Sequence, residues 1–367
     1  MKKFLSKVQR TMLAVGLILA VAALAGCDLF KNPAGPTEST VHVYAVASGT
    51  GNVYEIDTDN ASAATTPLVS TGQNSTGEMV IHGTKAFIAV GSYSNSSPGL
   101  YWFDLSSSTP TTELIGNKMS AQYICIVSDT KGYVTSSDYM GDYSNTVYSF
   151  DPSNPSAGLG SEVTDFDSGF HPQDIAYVDD GSGNGRVFVT DNANGEVCRL
   201  NAAGAAVDLT FMASADGTTG LLPGEYDWDN DGDADVGVFV ANTPYGTTGS
   251  IDFIPLDATS GTDIVSVQAA LSVGRLASFD TTHLIATNYG GTWIIDLTKS
   301  AGDVDRVTEI KNSSSASFGS FDVNVYDGYA YVPDGTNTVY KISSSGAVAA
   351  ISVGLSTEMI TNVAVRE

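Results

Sequence analysis

Five carboxylates alternate along one short stretch, Asp227, Asp229, Asp231, Asp233 and Asp235, with Gly232 at the sixth of its nine positions. Oxygens so spaced can converge on a hard cation that takes six to eight oxygen ligands, and the glycine permits the sharp turn that convergence requires. Val238 stands twelfth, where an EF-hand loop needs a bidentate Glu, so an EF-hand is excluded. With no base nearby the five acids repel one another unless a cation neutralises them. The expectation is a structural Ca2+ that staples one hairpin; the plainer alternative is a solvated acidic turn.

Other chemistry-bearing residues form no constellation. His42, His82, His171 and His283 have no metal-pair spacing, and Gly-x-Ser-x-Gly is absent, so there is no nucleophile elbow. The glycine-rich run Gly181–Gly185 lacks the strand-to-helix setting of a nucleotide loop and reads as a hairpin tip. Cys125 and Cys198 lie in apolar runs that read as strand interiors, so they are expected to be buried and unpaired.

The elements that must carry these residues are short strands. Asp outnumbers Glu 31 to 10, Gly numbers 38, and only 16% of the 367 residues are charged, a composition that starves helices and supplies turns. A net charge of -25 excludes nucleic acid as a partner, which would need a basic footprint, whereas 42% hydrophobic content exceeds that of a disordered acidic chain. One unit recurs seven times: an apolar strand, a Gly/Asn/Ser-rich turn, and a second strand. These hairpins end at Asp57, Asp104, Asp151, Asn201, Pro255, Asp296 and Ser343, at spacings of 47, 47, 50, 54, 41 and 47 residues. Such repeats of short strands, apolar at adjacent positions and so covered on both faces, are those of propeller blades.

A further apolar segment precedes every hairpin except the first, and an equivalent one at Thr357–Glu367 is followed by nothing. Ring closure resolves both absences if the C-terminal strand completes the blade begun by the N-terminus. The reading is all-β: a seven-bladed β-propeller over residues 41–367, its first blade closed by the C-terminal strand. Residues opening the inner strands would then ring a central channel at Glu78, Gln122, Gln173, Glu225, Gly274, Ser320 and Glu358. This polar ring is either a ligand site or an ordinary water-filled channel.

Lys2, Lys3, Lys7 and Arg10 precede an apolar run from Met12 to Ala25, the layout of a secretory signal. Leu24-Ala25-Gly26-Cys27 resembles the lipobox of bacterial lipoproteins, which implies cleavage after residue 26, lipidation of Cys27 and residues 27–40 as a flexible tether. Loss of the signal leaves 12 bases against 41 acids. The hairpins "VFVTDNANGEVCRLN", "VFVANTPYGTTGSIDFI" and "YVPDGTNTVYKIS" resemble YVTN-type propeller repeats. The stretch "DWDNDGDADVGVFVAN" resembles the calcium loop of FG-GAP and VCBS repeats, implying side-chain ligation by Asp227, Asp229, Asp231 and Asp235 and a backbone carbonyl from Asp233. Lactonase-like propellers, which the polar ring resembles, bind a catalytic metal in the channel through Glu, Asn and Asp.

Two functions remain open. One is a monomeric binding or protein-interaction module, lipid-anchored at the bacterial cell envelope, periplasmic or on the outer surface, whose loops meet a protein, a glycan or a small molecule. The other is a metal-dependent hydrolase or lyase working in the channel through Glu78, Glu225 and Glu358.

Overall fold

The computed structural model describes residues 43–366 apart from 59–63, 75, 118, 215, 230 and 321. The signal, Cys27 and the tether lie outside the described residues. Residues Val41–Glu367 form one unit, and its strands assemble into seven four-stranded antiparallel sheets. Each sheet is a blade. Their inner strands are Ile360–Val365 (blade 1), Thr76–His82 (blade 2), Ala121–Ser128 (blade 3), Pro172–Val178 (blade 4), Thr218–Tyr226 (blade 5), Arg275–Ser278 (blade 6) and Asn324–Tyr326 (blade 7). Neighbouring inner strands pack together in that order and the last returns to the first, so the ring is closed.

Blade 1 is composite, as the orphan segments require. Its inner strand comes from the C-terminus and pairs antiparallel with Val43–Ala47, Val43 opposite Val365 and Ala47 opposite Ile360. Val43–Ala47 is thereby paired on both sides, and Ile360–Val365 takes the inner position of the blade.

The adjacent apolar positions have a direct structural meaning. In blade 2 the strand Lys85–Val90 sends Ala86, Ile88 and Val90 into the core shared with blade 1, and Phe87 and Ala89 into the core shared with blade 3. Period-two alternation thus feeds two interfaces rather than a core and a solvent face. Close approach near the axis demands glycine at two places. A Cβ on Gly77 would lie 2.5 Å from the Gln122 carbonyl oxygen, and one on Gly220 would lie 2.6 Å from that of Gly274. Cys125 and Cys198 are buried and unpaired in the interface between blades 3 and 4.

Antiparallel order fixes which loops share a face. The connectors between blades and the loops joining second to third strands lie on one face, here called upper. The turns joining inner to second and third to outer strands lie on the lower face. Hydrogen bonds such as Ser48 N–H to Met359 O and Asn192 N–H to His171 O, both 2.9–3.0 Å, tie the two kinds of upper loop together.

Candidate functional site

The inner strands begin with irregular pairing, and these irregularities build the centre of the molecule. Register shifts fall between Thr76 and Met79, Ala121 and Ile124, and Pro172 and Ile175. A bulge frees a main-chain N–H and re-aims the following side chains. Two freed N–H groups are taken up by threonines of the neighbouring strand. Asp174 N–H donates to Thr190 Oγ1 at 2.7 Å and Tyr123 N–H to Thr135 Oγ1 at 3.0 Å.

Three carboxylates from these strand starts each bind the next blade. Glu78 of blade 2 accepts from Ile124 N–H of blade 3 at 2.6 Å. Asp174 of blade 4 accepts from Leu221 N–H of blade 5 at 2.8 Å. Asp322, just before the inner strand of blade 7, accepts from Val363 N–H of blade 1 at 2.9 Å. Blade 6 contributes the cation: Arg275 Nη1 donates to Asp174 Oδ2, its Nη2 lies 3.9 Å from Glu78 Oε1, and its guanidinium carbon sits 3.9 Å from the centre of the Tyr123 ring. Blades 4 and 6 are not neighbours, and neither are blades 2 and 6, so these contacts meet at the axis.

Electrostatics follow from burial. Asp174 and Asp322 are each 3% exposed and Arg275 7%. Burial, reinforced by Asp174 and Asp322, pushes Glu78 up to about 8 against the opposing pull of Arg275. Burial also raises Asp174 and Asp322, again opposed by Arg275. For Arg275 burial disfavours the charge, but Asp174, Tyr123 and Glu78 outweigh it and hold the guanidinium above the ordinary arginine value.

The expected channel residues divide. Glu78 is in the axial group. Gln173 reaches its edge through Nε2 and the Tyr123 hydroxyl at 3.4 Å, whereas Gln122 turns to Ser120 Oγ and Ser137 O at 3.3 and 3.4 Å. Glu358 is tied into blade 1 by Thr50 Oγ1, Asn52 Nδ2 and Tyr54 Oη at 2.9–3.0 Å. Glu225 sits at the far end of its strand, opposite Val236, in a lower-face cavity of about 540 Å³ with Tyr226 and Asp227. Glu225 and Glu358 are therefore not brought to Glu78. Tyr123, Asp174 and Arg275, missed from sequence, follow Gln122, Gln173 and Gly274 by one residue, and Asp322 follows Ser320 by two. At Tyr123 and Asp174 the offset coincides with the bulge at the strand start.

The acidic loop joins the inner and second strands of blade 5 on the lower face. One carboxylate oxygen from each of Asp227, Asp229 and Asp231 lies within 4.8 Å of the others, a separation that ligands about 2.4 Å from one shared cation would have. Gly232 turns the chain at φ +99°, and Asp227 Oδ1 is buried without a hydrogen-bond partner. Asp235 opens the next strand, and burial together with the charges of Asp229, Asp257 and Asp231 raises its pKa. Asp233 donates its N–H to Asp231 Oδ1 at 2.9 Å, and its carboxylate is outside the group of three. The donors present fit a hard cation: three anionic oxygens, one of them orphaned.

The upper face differs in kind. Four of the five exposed tyrosines, Tyr93, Tyr139, Tyr245 and Tyr289, stand on its second-to-third loops in blades 2, 3, 5 and 6. Tyr139 is fixed in place. Its ring stacks on that of His171 at 4.2 Å and 8°, and its hydroxyl donates to Asn192 Oδ1 at 2.9 Å.

No family model matches the chain, and no curated protein matches it in sequence. Solved structures do share its fold. The periplasmic gluconolactonase of Pseudomonas aeruginosa aligns with a TM-score of 0.63 at 12% identity, over 89% of this chain and 98% of its own. A computationally designed protein, Ika8, aligns at 0.55 with 11% identity, over 89% and 88%. Hydrazine synthase of Kuenenia stuttgartiensis aligns at 0.53 with 14% identity, over 73% and 76%. The chain is a seven-bladed β-propeller.

Proposed function

We propose that this propeller is a binding module displayed at the bacterial cell envelope, anchored by a lipid on Cys27 and stapled in blade 5 by a structural Ca2+. The observation that carries this reading is the commitment of the axial carboxylates. Glu78, Asp174 and Asp322 each give an oxygen to a main-chain N–H of the next blade, and Asp174 also binds Arg275. The centre thus works as a lock between blades, and recognition falls to the loops. The ring is entered at Val43 on the lower face, opposite the loops that carry the exposed tyrosines. The Thr135 and Thr190 contacts support a YVTN-type repeat, since they give its threonine a task at the bulge.

The competing reading is a metal-dependent hydrolase or lyase using the channel. The fold shared with a gluconolactonase favours it, but a metal at the axis would compete with Arg275 for the same carboxylates. Metal analysis and anomalous scattering on the mature protein separate the two. The binding module holds one cation, at Asp227, Asp229 and Asp231, whereas the enzyme needs a second on the axis. Metabolic labelling with palmitate tests the anchor: the label is expected on the wild type and lost in Cys27→Ser.

A further inference from the structure

We propose that the upper face binds a neutral polysaccharide, with the ring of Tyr139 as its stacking platform; this rests on the binding-module reading and names its ligand class. The second-to-third loops, residues 48–51, 91–98, 137–145, 192–195, 243–249, 289–290 and 334–337, contain no Lys, Arg, His or Glu. They consist mainly of Gly, Ser, Thr, Asn and Tyr, residues that combine adaptable hydrogen bonding with rigid amphipathic rings.

Tyr139 shows that one of these rings is prepared in advance. The His171 imbalance of faces is decisive: the imidazole covers one side of the phenol ring, yet 63% of Tyr139 remains exposed. The imidazole is itself placed by neighbours. The main-chain N–H of His171 donates to Asp191 Oδ1 at 3.0 Å, which anchors the residue, and the ring Nε2 lies 3.3 Å from Asn145 Nδ2. Because the Tyr139 hydroxyl is already engaged by Asn192, what the residue offers a ligand is its π face. An apolar π face held flat suits the C–H face of a pyranose, whose hydroxyls would meet the surrounding amides, hydroxyls and the Asp142 carboxylate. Holding the ring beforehand lowers the ordering cost of binding.

The charge pattern selects among ligands. These loops carry no cation, Lys311 on an adjoining connector is paired with Glu309 at 3.4 Å, and the chain's net charge is -25, so phosphorylated, sulfated or uronic chains are disfavoured. Exposed tyrosines on the adjacent blades 2 and 3 and again on blades 5 and 6 suit an extended ligand rather than a single sugar.

The test is isothermal titration of the mature protein with neutral hexaoses (cello-, malto-, manno- and chitohexaose) after screening on an immobilised glycan array. At least one neutral series should bind, Tyr139→Ala should weaken it about tenfold or more, and Asn192→Ala should weaken it less by freeing the ring. Tyr329→Ala, on the lower face, should leave affinity unchanged, and circular dichroism should show all three variants folded. Absence of neutral-glycan binding, or binding indifferent to Tyr139→Ala, overturns the proposal. Crosslinking to an envelope protein through position 139 in place of a glycan would overturn the ligand class while leaving the binding module standing. A second cation on the axis together with hydrolysis of a lactone would instead overturn the binding module itself.

Discussion

Arg275 and Asp174 form a buried ion pair although a whole blade separates the two that carry them. The pair spans the axis, and around it every blade is tied in: blades 2, 4 and 7 through their acids, blades 3, 5 and 1 through the N–H groups those acids accept, and blade 6 through the guanidinium.

Removing the cation should therefore loosen the whole ring. Arg275→Leu leaves Asp174 charged and unpaired in a buried site, and breaking such a pair from one side costs about 3–5 kcal/mol. Urea unfolding should show that loss as a lower midpoint with an unchanged slope. Arg275→Lys should recover part of it.

Glu78 should make stability fall with rising pH. Its folded value of about 8 lies above the ordinary 4.5, so the folded state holds a proton that the unfolded state releases between those values. The stabilisation is full below about pH 4.5 and is lost as pH rises through 8, with a limiting slope of about 1.4 kcal/mol per pH unit for this one group. Glu78→Gln keeps an acceptor for Ile124 N–H and should flatten the difference between pH 5 and pH 8. Unfolding curves at the two pH values measure it.

Calcium should raise the melting temperature of the mature protein and EDTA should lower it. A ligand at a hundred times its dissociation constant adds about 2.7 kcal/mol to the folded state. Asp229→Asn with Asp231→Asn should abolish the shift and the calorimetric heat of binding while leaving the protein folded. A protein indifferent to calcium would return the loop to a solvated acidic turn.

Deleting residues 357–367 should do more than remove a strand. Val43–Ala47 would become an edge, and Asp322 would lose the Val363 N–H that it accepts. An exposed edge strand invites pairing between chains, so size-exclusion chromatography should show the truncated chain eluting earlier than the full-length protein, as oligomers or aggregate.

The blade count, the repeat boundaries and the composite blade were legible in the sequence because they depend on period and turn chemistry, which local residues carry. The roles of Thr135 and Thr190 at the bulges were not legible, because they depend on pairing irregularities in the neighbouring strand. The axial group was half legible. Glu78 was found, but bulges at the strand starts moved Asp174 and Tyr123 one place beyond the residues that simple alternation selected. Arg275 gave no local signal, because its partners lie 101 and 197 positions away in the chain, at Asp174 and Glu78. The acidic loop is local, so its five acids were visible together in the sequence, but only Asp227, Asp229 and Asp231 come together; Asp235, expected as a fourth side-chain ligand, lies outside that group.

The pairing of Val43–Ala47 with Ile360–Val365 also sets the order in which the molecule can be finished. Chains emerge N-terminus first and fold as their parts arrive. Blades 2 to 7 can each form from contiguous sequence, but the blade made first is completed last, when the final strand is delivered. The ring thereby checks its own length: a chain cut short at any point upstream of Ile360 leaves the circle open.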